Sequence, residues 1–290
     1  MAPTTTLPER RVRFAYPDDL DPCWCHRFPE FACAANSISL IMPFAEPYFV
    51  KTVRSTLPEL DEPLRSQTEA FCRQELAHHV EHRKFNALIT RRYPEVVRVE
   101  GWMRRAYGWL SRTRSRRFNL AFAAGSEAIA YALARWIEAH LAQLFSDADP
   151  VPSTLFLWHL AEEVEHKSAA HDVFEALDGS RLRYAWATSV SVALLAFFVW
   201  TASLAQLKAQ GRFWNPIAHL RMARWGVSVA FTMLPTLAVS ALPGHTPRRF
   251  TDPIYLPKWL ALFDPATGTI PVPTVIGSPV SDGADHGTAV

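Results

Sequence analysis

Histidine and glutamate side chains share one strip of the stretch Phe156–Lys167, which is otherwise mainly apolar. At about 100° per residue on a helix, His159, Glu163 and His166 fall within roughly 60° of one another, and Glu162 lies at the edge of the same face. Imidazole nitrogens and carboxylate oxygens that converge from one side are the ligands that a transition metal takes. Burial of these groups without a metal would be unfavourable. The stretch therefore predicts a helix that binds a metal ion.

A second stretch repeats this arrangement, because Glu75-x-x-His78 is followed by His82 one turn later. A single Glu-x-x-His is common by chance. Two such motifs form a specific set when each follows a helical segment with an isolated glutamate. Those glutamates are Glu46, which has apolar flanks, and Glu127, which lies amid small and apolar residues. A glutamate followed by Glu-x-x-His, with the whole pattern occurring two times, is typical of ferritin-like di-metal bundles.

These residues predict a di-metal centre inside a helical bundle. We expect each Glu-x-x-His helix to supply two ligands and each of the other two helices to supply one glutamate. Glu75 and Glu163 are the predicted catalytic residues, and His82 and His159 are further candidate ligands one turn from the motifs. The complete set of predicted metal ligands is Glu46, Glu75, His78, His82, Glu127, His159, Glu163 and His166.

The composition favours a helical protein. The chain has 290 residues, of which 49% are hydrophobic and 12% aromatic, so a substantial core is available. Glycine is scarce, with 11 residues, and long stretches lack both glycine and proline, which favours helices over sheets. The net charge of +2 gives no indication of a nucleic-acid partner, and we expect none. The four cysteines are too few for a disulfide scaffold and indicate a reducing, cytoplasmic compartment.

The chain divides into four segments. Residues 1–34 contain several prolines and are predicted to be irregular, and residues 35–180 are predicted to form the metal-binding bundle. Residues 181–242 are predicted to form an apolar helical hairpin, and residues 243–290 form a proline-rich tail. The predicted fold is therefore all-α, a ferritin-like four-helix bundle with a di-metal centre and an additional apolar hairpin.

The apolar hairpin has two long hydrophobic segments. Residues 184–207 contain no charged residue, and residues 217–242 form a second apolar helix, so the first segment is long enough to span a membrane. Basic residues flank it on both sides, and no positive-inside orientation emerges. Three interpretations stay open: a hairpin buried against the core or against a second subunit of a homodimer, a membrane-embedded hairpin, and an interfacial element. The cytoplasmic protein could thus associate with the inner face of a membrane.

Residues 30–180 carry a run of motifs that resembles a known family. These motifs are Pro43-x-x-Glu46-x-x-Phe49, Phe71-x-x-Gln74-Glu75-x-x-His78-x-x-x-His82-x-x-Phe85-Asn86, Glu127, and Trp158-His159-x-x-Glu162-Glu163-x-Glu165-His166-Lys167. The chain resembles a bacterial family of predicted metal-dependent hydrolases that is related to the ferritin-like superfamily. It departs from the family at Ala45, where glycine is usual, and at Phe250-Thr251-Asp252-Pro253, which lacks the histidine of a His-Pro-Trp signature. The resemblance implies a metal-dependent hydrolase.

A carboxylate-bridged pair of metal ions supports two chemistries. Iron or manganese can reduce O₂ to an oxidant that attacks an apolar substrate, whereas zinc or manganese can activate a water that attacks an ester or amide. Bundle sites of this ligand pattern are di-iron and di-manganese sites. We therefore expect two transition-metal ions, iron first with manganese or zinc as alternatives, in an oxidoreductase that uses O₂ to oxidise a hydrophobic small molecule. A metal-dependent hydrolase and a non-catalytic metal-storage protein are the alternatives.

Overall fold

Helices dominate the part of the chain that the structure describes. The computed structural model describes residues 7–273, and within this range there are no β-strands, only two isolated β-bridges. The all-α prediction is confirmed. The helices are α1 Pro29–Arg54, α2 Leu64–Arg92, α3 Val96–Thr113, α4 Arg116–Ala139, α5 Leu141–Phe145, α6 Pro150–His166, α7 Ala169–Leu177, α8 Arg181–Ala209, α9 Pro216–Ser240 and α10 Tyr255–Leu260, with short 3₁₀ turns at Leu57–Glu59 and Pro247–Arg249.

Proline and serine residues set several helix boundaries. Helix α1 begins at Pro29, whose missing N–H falls where a helix has no internal partner for it. Ser115 and Ser180 precede α4 and α8, and each hydroxyl accepts a hydrogen bond from the backbone amide three residues later. Pro43 and Pro47 lie inside α1, yet the helix continues past both. Helical structure therefore begins within the segment that the sequence predicts to be irregular.

Four helical units surround the main core: α1, α2, α4 and the consecutive pair α6 and α7. Helix α1 packs along α2 and against α4, and α4 packs against α6 and α7. The fully buried side chains of Phe71, Phe85, Phe122, Tyr131 and Trp158 lie in this core. Each large apolar side chain that is buried in this way stabilises the fold by about 2–3 kcal/mol. Each unit also carries at least one predicted ligand, whereas the ferritin-like topology itself stays a prediction.

Helices α8 and α9 cover the outer side of α1 and α4, because both contact these two helices. Buried polar contacts also hold α8 in place: Asn36 Nδ2 donates to Gln206 Oε1 at 3.0 Å, and Gln206 Nε2 donates to the backbone oxygen of Cys33 at 2.9 Å. Both helices are long and apolar enough to cross a membrane by length and composition alone. Their inner sides pack on the bundle, and their outer sides carry exposed apolar residues.

The N-terminal segment, residues 7–28, runs over α2 and α6 largely without regular structure. The ring of Phe14 lies 5.5 Å from that of Trp158, and the ring of Tyr16 lies 6.1 Å from that of Phe85. Tyr16 also donates a hydrogen bond from its hydroxyl to Glu81 at 3.2 Å. The segment therefore forms part of the wall around the bundle, and residues 1–6 of the predicted irregular segment lie outside the described residues.

The C-terminal segment folds back onto the bundle. Helix α10 packs on α6, and Glu138 near the end of α4 accepts hydrogen bonds from three backbone amides at the start of α10. This carboxylate satisfies amides that the short helix leaves unpaired. The tail is thus held on the bundle at α10, while residues 274–290 of the predicted tail lie outside the described residues.

Candidate metal centre

The helical units bring the eight predicted ligands into one buried cluster. On α2 and α6 the spacing of three and four residues places each set on one helix face. None of the eight residues is more than 7% exposed. Helix α1 supplies Glu46, α2 supplies Glu75, His78 and His82, α4 supplies Glu127, and α6 supplies His159, Glu163 and His166.

Both Glu-x-x-His motifs meet in one group that could hold a metal ion. One ligand atom from each of Glu75, His78, Glu163 and His166 lies within 4.8 Å of the others. His166 Nε2 lies 3.5 Å from Glu75 Oε1, and His78 Nδ1 lies 3.9 Å from Glu163 Oε1. Two imidazoles and two carboxylates at this separation offer the mixed nitrogen and oxygen donors that suit a transition metal.

A second group adjoins the first and contains Glu46, His78 and His159, which again offer one ligand atom each within 4.8 Å. The His78 and His159 rings stack at 4.2 Å. His159 lies 3.9 Å from Glu46 through Nδ1 and 2.8 Å from Glu163 through Nε2. The two groups therefore form one continuous cluster, with His78 common to both.

Glu127 contacts the first group through His166. Its Oε2 lies 2.9 Å from His166 Nδ1, at hydrogen-bond distance. When a metal binds and Glu127 is ionised, this carboxylate can only accept a hydrogen bond, so the contact would keep the proton of His166 on Nδ1 and leave the Nε2 lone pair for the metal. Glu127 is thus brought to the cluster as predicted, and its direct ligation of a metal stays a prediction.

His82 lies behind His159. Its Nε2 lies 2.6 Å from His159 Nδ1, and its Nδ1 lies 2.8 Å from the hydroxyl of Ser39. Ser39 in turn donates to Asn86 Oδ1 at 2.6 Å. His82 therefore belongs to a buried hydrogen-bond chain that leads away from the cluster, and neither of the two ligand groups includes it. Its role as a ligand stays a prediction.

The structure adds Arg10 to the surroundings of the site, a residue that the sequence pattern did not indicate. Glu162 Oε2 lies 2.9 Å from His78 Nε2, so this carboxylate holds the ring nitrogen of His78 that does not belong to the ligand group. Arg10 contacts Glu162 at 3.3 Å and forms two hydrogen bonds to Glu165, at 2.7 and 2.8 Å. Arg10 lies 152 residues from Glu162 in an irregular segment, and no local spacing marks it as part of the site.

Burial shapes the charge state of the carboxyl groups. Desolvation and the neighbouring Glu163 raise the pKa values of Glu46 and Glu75 well above the ordinary range. The same causes raise the pKa of Glu127 to about 8, and burial raises that of Glu162 to about 7. Burial also opposes the ionisation of Glu163, but His166 and the other nearby imidazoles lower its pKa to about 2. Glu163 is therefore the carboxylate that stays charged in the absence of a metal.

The pKa values of the imidazoles also depend on burial and on neighbouring charges. Burial lowers the pKa values of His78 and His82 well below the ordinary range, so both are neutral at pH 7. Burial also disfavours a charge on His166, but Glu163 and Glu127 outweigh it and raise its pKa to about 9. A neutral imidazole is the form that binds a metal. His78 is therefore ready to act as a ligand, whereas His166 must lose a proton when a metal binds.

Several oxygen and nitrogen atoms of the cluster have no hydrogen-bond partner and could bind a cation. Within the described residues, both carboxylate oxygens of Glu46 and of Glu75 have no hydrogen-bond partner, and neither have Glu163 Oε2, His166 Nε2 and His78 Nδ1. A buried polar atom without a partner costs about 1–3 kcal/mol, and more when it is charged. A metal ion would satisfy these lone pairs and neutralise the carboxylates at once. The buried cluster is thus suited to hold metal, as the sequence predicts.

A family model described as a predicted metal-dependent hydrolase matches residues 8–258, a longer part of the chain than the motifs within residues 30–180. No curated protein and no solved structure matches the chain.

The expectation of an oxidoreductase in preference to a hydrolase is wrong, because the family is named for hydrolysis. The error has a chemical cause: carboxylate and imidazole donors serve both reactions, so the ligand pattern alone does not separate them. The match over most of its length shows that the chain belongs to the family of predicted metal-dependent hydrolases.

Proposed function

We propose that the protein is a hydrolase that uses a buried pair of transition-metal ions to cleave an ester or amide bond in a hydrophobic small molecule. The unpaired lone pairs of Glu46, Glu75, His78, Glu163 and His166 carry this proposal. Five residues from three helices converge here, and only a cation satisfies them all. The family match supports hydrolysis as the reaction.

Glu163 is the residue best suited to contact both ions. Its Oε1 lies 2.8 Å from Nε2 of His159, a member of the group that contains Glu46, and its Oε2 lies 3.9 Å from Nδ1 of His166, a member of the other group. A carboxylate with its oxygens turned toward two groups of donors is the kind of ligand that links two metal ions. We therefore assign Glu46 to one ion and Glu75 and His166 to the other. His159 would join Glu46 by exchanging its contact with His82 or Glu163 for the metal.

Two carboxylates orient the histidines that face the metals. Glu162 accepts from His78 Nε2 and leaves Nδ1 free, while Glu127 accepts from His166 Nδ1 and leaves Nε2 free. In metalloproteins such carboxylate–histidine pairs fix the tautomer and make the imidazole a stronger ligand. We propose that Glu127 and Glu162 act mainly in this way, with Arg10 holding Glu162 in position.

The metal ions would lower the pKa of a bound water and polarise the carbonyl oxygen of the substrate. The protein contributes the fixed positions of the ligands and negative charge that offsets the cations. The rings of Trp158 and Phe71 lie roughly perpendicular to those of His78 and His166, with ring centroids 4.8 and 5.0 Å apart, so the site also has apolar walls. These walls support a substrate with a hydrophobic portion.

Hydrolysis of chromogenic acyl esters of increasing chain length tests this proposal. Protein that has been stripped with a chelator is compared with the same protein after addition of zinc, manganese or iron. We expect hydrolysis that returns with metal and is reduced at least about a hundredfold by Glu75→Gln, since loss of a ligand removes the activated water.

The matched control is Glu81→Gln, which changes the same residue type on the same helix outside both ligand groups and retains metal-dependent activity. Metal-dependent hydrolysis that survives Glu75→Gln would contradict the proposed site. Tightly bound metal without hydrolysis of any ester or amide in the panel would favour a metal-storage protein.

A further inference from the structure

Helix α8 exposes an apolar stripe along its outer side. Leu182, Trp186, Phe197 and Trp200 are 83, 62, 50 and 44% exposed. Their spacing of four, eleven and three residues keeps them on one face of a helix. Over these positions the stripe is about 27 Å long, from the rise of about 1.5 Å per residue. This face points away from the contacts that α8 makes with α1 and α4, and only Phe197 of the four also stacks on a ring of α3, that of Trp102, with ring centroids 6.3 Å apart.

Helix α9 carries a second stripe of the same kind. Leu220, Val227, Phe231 and Leu234 are 70, 56, 78 and 55% exposed, again at helical spacing. The inner sides of the two helices meet α4 in one small cluster, to which α8 contributes Val192 and α9 contributes Met233. The two outer faces therefore lie on the same side of the bundle. We call these eight exposed residues together the apolar face; a surface of this kind marks a site of interaction.

The charged residues of the segment that carries the apolar face all have one sign. Residues 179–251 include no aspartate or glutamate, but they include eight lysines and arginines, although the whole chain has a net charge of only +2. Carboxylates of the bundle pair with five of the eight basic residues, as with Arg181 and Glu175. Lys208, Arg224 and Arg249 make no ion pair with any residue that the structure describes. Lys208 lies on α8 and Arg224 on α9, so the two helices that carry the apolar face also carry uncompensated positive charge.

We infer that the apolar face is a docking surface for an anionic phospholipid membrane. Exposed leucine and phenylalanine side chains enter the boundary between headgroups and acyl chains, while basic residues attract anionic headgroups. Tryptophan favours the same boundary, and Trp214, between α8 and α9, is 88% exposed. The basic residues and the exposed apolar side chains are therefore both accounted for by an anionic phospholipid membrane.

Two other occupants fit less well. A symmetric dimer joins the same surface of two copies, so it would bring basic residues together without an acidic residue from 179–251 to offset them. A spanning hairpin would have to leave the bundle, and this would break the buried hydrogen bonds of Gln206 with Asn36 and Cys33. The protein therefore lies on the membrane with the bundle in water.

Flotation with lipid vesicles tests this inference. The full-length protein is mixed at low salt with vesicles of phosphatidylcholine alone or with a third of phosphatidylglycerol. We expect flotation with the anionic vesicles only, and partial release at high salt. In the variant Leu182→Gln, Leu220→Gln and Phe231→Gln, partitioning falls at least about tenfold, because each exposed side chain loses its transfer into the membrane.

The control Leu262→Gln removes an exposed leucine, 59% exposed, that lies outside α8 and α9, and it leaves flotation unchanged. Light scattering after gel filtration reports the oligomeric state of the same samples. Absence of flotation with anionic vesicles would overturn the inference, as would equal flotation of the triple variant. A dimer that the triple variant converts to a monomer, without vesicle binding, would assign the apolar face to a second copy instead.

Discussion

Removal of metal should reverse the way in which stability depends on pH. In the metal-free protein the pKa of Glu127 is about 8, against an ordinary value of 4.5, so between these values the folded state holds a proton that the unfolded chain has lost. His166 behaves alike, with a pKa of about 9 against 6.5. The folded state therefore binds more protons above neutral pH, and the free energy of unfolding falls as the pH rises.

The size of this effect follows from the two shifts. Each extra proton held by the folded state lowers the free energy of unfolding by about 1.4 kcal/mol per pH unit. Between pH 7 and 9 the shift of Glu127 acts over about one pH unit and that of His166 over about two. Because these two groups share a hydrogen bond and lose their protons as a pair, together they lower the free energy of unfolding by at most about 4 kcal/mol. The raised pKa values of Glu46 and Glu75 act in the same direction. The lowered pKa values of His78 and His82 act mainly below pH 6.5, outside this window.

Urea denaturation at pH 7, 8 and 9, with a chelator and with saturating metal, measures the prediction. With metal bound the slope should vanish or change sign, because ligands must be deprotonated to bind and metal affinity rises with pH. Glu127→Gln in the chelated protein should have a shallower slope between pH 7 and 8, since the amide holds no titrating proton. A chelated wild-type protein whose stability is constant or rises from pH 7 to 9 would refute the reasoning.

Three further predictions concern residues around the site and the tail. Arg10→Met should weaken metal binding about 10- to 100-fold in competition with a chelating dye, because Glu162 loses the group that positions it; unchanged affinity would show that Arg10 only anchors the N-terminal segment. Burial lowers the pKa of His171 to about 4, so acidification from pH 6.5 to 4 should cost about 3 kcal/mol of stability that His171→Gln does not lose; equal losses would contradict this. Glu138→Ala should destabilise the protein by about 1–2 kcal/mol in urea denaturation, through the lost contacts with α10; a neutral result would mean that the tail detaches without penalty.

Much of the site could be predicted from the sequence because its residues follow helical spacing. Glu75 with His78 and Glu163 with His166 are three residues apart, and a helix places such pairs on one face whatever the rest of the fold does. Glu46 and Glu127 stand out because their neighbours are apolar, and an acid in such surroundings must be paired or bound. The structure indeed buries all of these residues together.

The remaining features depend on contacts between distant parts of the chain. Arg10 reaches Glu162 from an irregular segment, and Glu138 caps a helix more than a hundred residues later, so no local pattern could indicate either contact. His82 has the spacing of a ligand, but Ser39 of α1 and His159 of α6 take up its two nitrogens. The apolar helices α8 and α9 likewise pass a length criterion for membrane spans, although their inner sides pack on α1 and α4.

Metal content tests the central claim most directly. The protein is purified without chelators, alongside Glu163→Gln and the control Glu81→Gln, and the metals in each sample are measured by elemental analysis together with protein concentration. We predict about two transition-metal ions per chain in the wild type and the control, and a loss of at least one ion in Glu163→Gln. A wild-type protein that contains no metal and binds none on addition, or a Glu163→Gln protein with full metal content, would contradict the proposed centre.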